Sequence, residues 1–163
     1  MFCDEIIQLA ADTLQMARDK SFHLATAESC TGGLIMAALT EIAGSSDVVD
    51  RGFITYTNRA KMDVLGVSAE TLRIGGAVTK ETAIAMAKGA LKKSSATLAV
   101  SVTGIAGPGG SSAEKPVGLV HMACANRNGE TLHERHLFGD IGRGKVREAT
   151  VIAGLRLFQR AIP

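Results

Sequence analysis

Apolar residues recur at helical spacing in several parts of this chain. Between residues 4 and 19, Ile6, Ala10 and Leu14 fall on one side and charged residues on the other, as in an amphipathic helix. Ser68 and Thr79 stand where a hydroxyl can cap the start of a helix. The predicted helices cover residues 4–19, 32–42, 58–65, 68–74, 80–93 and 143–160.

Shorter apolar runs between these helices predict strands. Residues 96–102 form a continuous apolar run, which is typical of a strand covered on both faces. The pair Asn128-Gly129 separates two later runs and is a strong hairpin turn signal. The predicted strands cover residues 23–28, 48–49 with 51–56, 96–102, 117–125 and 131–138.

The order of these elements predicts the fold class. Helices and strands alternate at first, and two strands then follow in succession. That order favours an α/β fold, a three-layer α/β/α sandwich around a mixed, mostly parallel sheet. A length of 163 residues suits one domain, so we expect a single domain over residues 1–163.

Composition narrows the range of partners. The net charge of +2 and the lack of a Lys/Arg block argue against a nucleic-acid partner. Three widely spaced cysteines without a CxxC pair predict neither disulfides nor a zinc site. No apolar run approaches the ~18 residues of a membrane span, and the first residues are acidic where a signal peptide is basic. We therefore expect a cytoplasmic protein that does not contact a membrane.

Four polar or glycine-rich segments stand next to predicted strands or the last helix. In open α/β sheets, ligands bind beyond the carboxyl ends of strands, so one site can gather all four segments. The segment 103–115 holds four glycines and has no periodicity, which marks a functional or mobile loop. The four segments are residues 28–33, 55–61, 103–115 and 139–147.

Ser29 is the candidate nucleophile. It lies where a strand turns into a helix, and the unpaired N–H groups and dipole of a helix start can hold an anion or an oxyanion. A hydroxyl that only caps the helix, with Gly32 and Gly33 easing the turn, explains the same residues. Cys30 is the rival nucleophile, because a helix start lowers a thiol pKa, although a packed apolar role suits it better.

Lys61 is the candidate base. The histidines, His23, His121, His133 and His136, fall inside predicted strands, and none follows a glycine-rich turn. A lysine base must lose its proton near neutral pH, which burial or a neighbouring cation such as Arg59 favours. Tyr56 is placed to relay the proton or orient the amine. A solvated helix lysine is the other interpretation of Lys61.

Three cations gather near the start of the last predicted helix. Arg143, Lys145 and Arg147 lie where the helix dipole disfavours positive charge, so an anion such as phosphate would stabilise them. A helix that starts later along the chain would remove this argument.

Taken together, the four segments resemble the C-terminal domain of the CinA (competence/damage-inducible protein) family, which also occurs as a stand-alone nicotinamide-nucleotide amidase. The likeness extends from about residue 5 to residue 160. It rests on Ala27-Glu28-Ser29-Cys30-Thr31-Gly32-Gly33, Thr55-Tyr56-x-Asn58-x-x-Lys61, Thr103-Gly104-Ile105-Ala106-Gly107-Pro108 and Lys115-Pro116-Val117-Gly118.

The resemblance implies hydrolysis of the carboxamide of nicotinamide mononucleotide to nicotinate mononucleotide and ammonia. It implies that Ser29 attacks, that Lys61 and Tyr56 activate it, and that neither a metal nor an organic cofactor takes part. A homodimer is also expected from the resemblance alone. The residues expected to bind substrate are Thr31, Gly32, Gly33, Thr103, Gly104, Gly107, Arg143 and Arg147.

One motif departs from the family pattern. The family usually has Gly-Asp-Arg followed by a second arginine four positions later, whereas Ile141 and Gly142 here separate Asp140 from Arg143. Arg143 and Arg147 keep the four-residue spacing. The departure leaves open an amidase for a different carboxamide. A non-catalytic nucleotide-binding or regulatory domain, linked to competence or DNA damage, is the alternative function.

Overall fold

A five-stranded sheet lies at the centre of the computed structural model, which describes residues 2–163. The strands stand in the order β2-β1-β3-β4-β5. They are β1 (Leu24–Glu28), β2 (Val49–Ile54), β3 (Leu98–Gly104), β4 (Leu119–Asn126) and β5 (Thr131–Leu137). The helices are α1 (Asp4–Asp19), α2 (Leu34–Thr40), α3 (Asn58–Leu65), α4 (Ala69–Gly75), α5 (Lys80–Lys92) and α6 (Arg143–Ala161).

The sheet is mixed, as predicted. Strand β1 pairs in parallel with both β2 and β3, whereas β4 is antiparallel to β3 and to β5. Four of the five strands within residues 2–163 therefore point the same way. Helices cover both faces, so the predicted three-layer α/β/α class is confirmed.

The alternation of side chains along β3 shows how the two helical layers are held. Leu98, Val100 and Val102 pack into a core with α1, α2 and α6. Ala99 packs into a second core on the other face, with α5. Alanines from β1 and β4 line that second core as well, and such small side chains allow a helix to lie close to the sheet.

The helix starts follow the polar pattern closely. Thr57, Ser68 and Thr79 cap α3, α4 and α5 by accepting a backbone N–H three residues on. Helix α6 begins at Arg143 as predicted, so a later start is wrong and the cations do lie in its first turns. None of the helices in residues 2–163 combines the length and hydropathy needed to span a bilayer.

The register of the parallel strands brings three segments together. Glu28 at the end of β1 pairs with Ile54 of β2 on one side and with Val102 of β3 on the other. The residues that follow each of these positions therefore leave the sheet at one edge. The candidate site lies there.

Candidate active site

A small cavity of about 150 Å³ opens at this edge of the sheet. It is smaller than the roughly 300 Å³ at which sites for drug-sized ligands begin, so it suits one end of a substrate. Eight of its ten lining residues come from the four predicted segments. The cavity is lined by Ser29, Cys30, Tyr56, Lys61, Ala77, Val78, Thr103, Gly104, Ala106 and Arg143.

Ser29 and Lys61 meet at the base of this cavity. The Lys61 Nζ lies 2.9 Å from the Ser29 Oγ. Ser29 directly follows β1, and its N–H donates to the carbonyl of Val102, so the adjacent strand β3 fixes its backbone. Lys61 lies on α3, whose capped first turn directs the side chain back under the edge of the sheet. The structure thus joins two residues that are 32 positions apart.

Lys61 is buried, with only 1% of its surface exposed, which excludes a solvated helix lysine. Its Nζ donates to the carbonyl of Thr55 at 2.8 Å and lies 3.5 Å from that of Tyr56. No carboxylate within residues 2–163 hydrogen-bonds to it. Burial penalises the charged amine and lowers the pKa of Lys61 to about 8. A useful fraction of the Lys61 amine is therefore neutral near physiological pH and able to accept a proton.

Cys30 belongs to the apolar core. It is 5% exposed and packs with residues of α2 and α6. Burial, followed by the charge of Glu28, raises the pKa of the Cys30 thiol to about 12. The expectation that a helix start lowers this pKa is wrong, because desolvation outweighs the dipole here. The thiol stays protonated, as suits a packed apolar residue.

Glu28 makes a set of buried hydrogen bonds that the sequence analysis did not predict. Its carboxylate is 1% exposed and accepts hydrogen bonds from the Thr31 hydroxyl and from the N–H groups of Gly33, Ile35 and Met36. The free N–H groups at the start of α2 are therefore largely taken by the protein itself. The signal in the sequence was a lone charged residue at the end of an otherwise uncharged strand.

Five of the expected substrate-binding residues do not line the cavity, namely Thr31, Gly32, Gly33, Gly107 and Arg147. The hydroxyl of Thr31 is held by Glu28, and Gly32 and Gly33 adopt the left-handed backbone of the turn, with φ of 62° and 101°. The Arg147 side chain donates to the carbonyl of Thr31 at 2.9 Å, and its Nε is buried with no partner among the described residues. Arg147 thus braces the turn after Ser29.

Arg143 and Tyr56 form the mouth of the cavity. The Arg143 guanidinium contacts the Tyr56 hydroxyl and the carbonyl of Gly107, each at 3.0 Å. The Tyr56 ring is exposed, and it is the Tyr56 backbone carbonyl that lies near Lys61. Gly107 therefore lies at the rim of the cavity, where its backbone carbonyl accepts a hydrogen bond from Arg143.

The far wall comes from β3 and from a segment that the sequence did not single out. Thr103 and Gly104 line the cavity, and the Thr103 hydroxyl donates to the carbonyl of Ala77 at 2.7 Å. Ala77 and Val78 lie between α4 and α5, directly after the Gly75-Gly76 break. That glycine pair was the available signal for a loop near the site.

The histidines lie elsewhere. All four are in the described part of the chain, and none lines the cavity. His121 and His133 contact each other across β4 and β5, with ring nitrogens 3.0 Å apart. Burial, together with His133, lowers the pKa of His121 to about 4. Within residues 2–163, no three His, Cys, Asp or Glu side chains converge as metal ligands would.

The fold and this site define an α/β/α domain with a buried serine–lysine pair at the carboxyl edge of its sheet. The sequence profile of the CinA C-terminal domain matches residues 6–162. The chain belongs to the CinA C-terminal domain family, as the motifs predicted.

Relatives and solved structures agree with that assignment. The chain is 44% identical over 156 residues to the nicotinamide-nucleotide amidohydrolase PncC of Escherichia coli, covering 96% of this chain and 94% of PncC. It is 50% identical to a CinA-like protein of Syntrophobacter fumaroxidans over 89% of this chain. The crystal structure of a competence/damage-inducible protein from Agrobacterium tumefaciens matches with a TM-score of 0.96 and 57% identity, covering 98% of this chain and 97% of that one.

The relatives fall into two length classes. The chain spans about a third of the Syntrophobacter protein, 34% of its length, and similar shares of other CinA-like relatives. It spans nearly all of the Escherichia coli amidohydrolase.

Proposed function

We propose that this protein is an amidohydrolase that converts nicotinamide mononucleotide to nicotinate mononucleotide and ammonia. The observation that carries the proposal is the contact between Ser29 Oγ and the buried Lys61 Nζ inside a small polar cavity. The near full-length similarity to an amidohydrolase of nicotinamide nucleotides supports the reaction class. A hydroxyl paired with a neutral amine is one of the ways in which proteins activate a nucleophile for acyl transfer.

In the first step, Ser29 Oγ attacks the carboxamide carbon while Lys61 Nζ accepts the hydroxyl proton. The π electrons of the carbonyl move onto its oxygen. When they return, the C–N bond breaks and Lys61 gives its proton to the leaving nitrogen, which departs as ammonia. Water then attacks the acyl ester with Lys61 as base, and the nicotinate product leaves as Ser29 regains its proton.

The oxyanion needs N–H donors near Ser29, and the structure limits the choice. The N–H of Gly33 is held by Glu28, and that of Gly32 donates to the Ser29 carbonyl. The N–H groups of Cys30 and Thr31 have no oxygen acceptor within residues 2–163, and both lie near the Cys30 thiol. Of these two residues only Cys30 lines the cavity, so we assign the oxyanion to the N–H of Cys30. One such donor is typically worth about 3 kcal/mol of transition-state stabilisation.

The phosphate would lie outside the cavity, against the start of α6. Arg143 lines the mouth of the cavity and is exposed, and Lys145, two residues further along α6, is exposed as well. The first turn of α6 holds no acidic residue. The helix dipole and these cations all favour an anion there. Arg143 is the main phosphate contact in this arrangement. Arg147 contributes indirectly, because its hydrogen bond to the Thr31 carbonyl holds the turn after Ser29 in place.

Replacing Ser29 with alanine tests the assignment of the nucleophile. Ser29→Ala should abolish ammonia release while nicotinamide mononucleotide binds with near wild-type affinity, because Oγ takes part in bond formation and the phosphate contacts remain. Ammonia assays and calorimetric titration of the same preparation measure the two properties. Equal loss of binding and turnover would instead make Ser29 a structural cap.

The proposal also covers the oligomeric state, the partners and the location of the protein. A homodimer would show twice the chain mass of 17.0 kDa in sedimentation velocity. The small net charge supports a protein that does not bind nucleic acid, and a cytoplasmic location stays a prediction. Tight nucleotide binding without ammonia release would favour the regulatory alternative.

A further inference from the structure

Glu28 is a buried charge that the proposed reaction does not use. It is 1% exposed, it lies directly before Ser29, and no cationic side chain in residues 2–163 hydrogen-bonds to it. Burial of a carboxylate without compensation is costly, so a residue of this kind needs several donors to remain in place.

The donors show what Glu28 holds. One carboxylate oxygen accepts from the Thr31 hydroxyl at 2.6 Å and from the N–H groups of Gly33 and Ile35 at 3.1 and 3.0 Å. The other accepts from the N–H of Met36 at 2.9 Å. All four groups are donors, which suits an ionised carboxylate, since that group only accepts.

These bonds enclose the turn that carries Ser29. Residues 29–33, here named the nucleophile turn, directly follow Glu28 and end at Gly33. The Glu28 side chain reaches over the turn to its far end. The N-cap residue of α2, Gly33, has no side chain with which to cap the helix. Glu28 thus supplies the cap of α2 and fixes both ends of the turn to one carboxylate.

We infer that Glu28 is a positioning residue, whose carboxylate holds the nucleophile turn in the shape that places Ser29 Oγ on Lys61 Nζ. The inference rests on the proposed function, because it concerns the same nucleophile. A displacement of a reacting atom by about 1 Å can cost a hundredfold in rate, so the control of this turn bears directly on catalysis.

Glu28→Gln is the informative substitution, because it keeps the shape of the side chain. In either orientation the new amide nitrogen faces at least one backbone N–H, of Met36 or of Gly33 and Ile35, and that contact is repulsive. The turn must then shift. Thr31→Val removes only the hydroxyl donor, and Thr31→Ser keeps it.

The matched control is Glu134→Gln. Glu134 lies on the edge strand β5 and is partly buried. It contacts His136 of the same strand and Arg160 of α6, and it does not line the cavity. The chemical change is the same, and it lies away from Ser29. This variant should react at the wild-type rate.

The readout is the rate at which an alkyl fluorophosphonate labels Ser29, followed by intact mass, together with kcat and KM for nicotinamide mononucleotide. In labelling, Ser29 Oγ bonds to phosphorus, the P–F bond breaks, fluoride leaves and the hydroxyl proton passes to Lys61. Rates are measured below the melting temperature of each variant, with the folded fraction checked by circular dichroism, so a loss of stability alone leaves them unchanged.

We expect Glu28→Gln to label and turn over about tenfold to a hundredfold more slowly, with KM little changed. Thr31→Val should show a smaller loss that Thr31→Ser restores. A folded Glu28→Gln with wild-type rates overturns the inference. If that variant does not fold, equal rates for Thr31→Val and Thr31→Ser overturn it instead.

A crystal structure of Glu28→Gln separates this inference from the proposed function. If the wild-type protein neither labels nor releases ammonia, the proposed function fails, and the Ser29–Lys61 distance in the variant still decides the role of Glu28. An unchanged contact of 2.9 Å would then overturn the inference, whereas a broken contact would support it.

Discussion

At the scale of single residues, the decisive feature is the burial of Lys61. The sequence allowed both a solvated lysine and a buried base, because a pattern of apolar residues along α3 does not show where one long polar side chain points. The structure places the amine against Ser29 and two backbone carbonyls, where it is 1% exposed. The backbone carbonyls accept hydrogen bonds from the amine but carry no negative charge, so they do not stabilise its protonated form as a carboxylate would.

The burial of Lys61 predicts a pH profile. Burial lowers its pKa from 10.5 to about 8, and the neutral amine is the active form, so kcat/KM should rise about tenfold per pH unit below pH 8 and level off above it. Initial rates of ammonia release between pH 6 and 9.5 measure this. Lys61→Arg, which stays protonated throughout, should remove activity at every pH. A flat profile from pH 6 upward would contradict the role of Lys61 as base.

At the scale of elements, three parts of the chain converge on Arg143. The first residue of α6 contacts Tyr56 after β2 and Gly107 in the loop after β3. Sequence spacing predicted that these segments share a site, because strand order fixes where their ends meet. It did not predict that the Tyr56 hydroxyl faces Arg143 while only the Tyr56 carbonyl approaches Lys61.

Tyr56→Phe distinguishes these two functions of Tyr56. The substitution removes the hydroxyl contact with Arg143 and leaves the backbone near Lys61 unchanged. We expect KM for nicotinamide mononucleotide to rise severalfold and kcat to stay close to wild type, as measured by steady-state ammonia release. A fall in kcat of about a hundredfold would show instead that the hydroxyl relays a proton.

At the scale of the whole molecule, the sequence predicted the layers better than the chemistry. Periodicity and caps located the helices and strands to within a few residues, since caps such as Ser68 and Thr79 act locally. The contacts of Glu28 and Arg147 could not be predicted in this way, because they depend on how α2 and α6 pack against the turn after β1. Arg147 was expected to bind substrate, and its contact in the structure is with the turn after Ser29, whereas Glu28 was not singled out from the sequence at all.

The most direct test of the account is ammonia release by the purified protein from nicotinamide mononucleotide, with nicotinamide riboside as the phosphate-free control. The buried Ser29–Lys61 pair and the cations at the start of α6 predict steady turnover of the nucleotide and much weaker turnover of the riboside. No ammonia from the nucleotide, under conditions in which it binds, would contradict the assignment of this site as an amidohydrolase of nicotinamide mononucleotide.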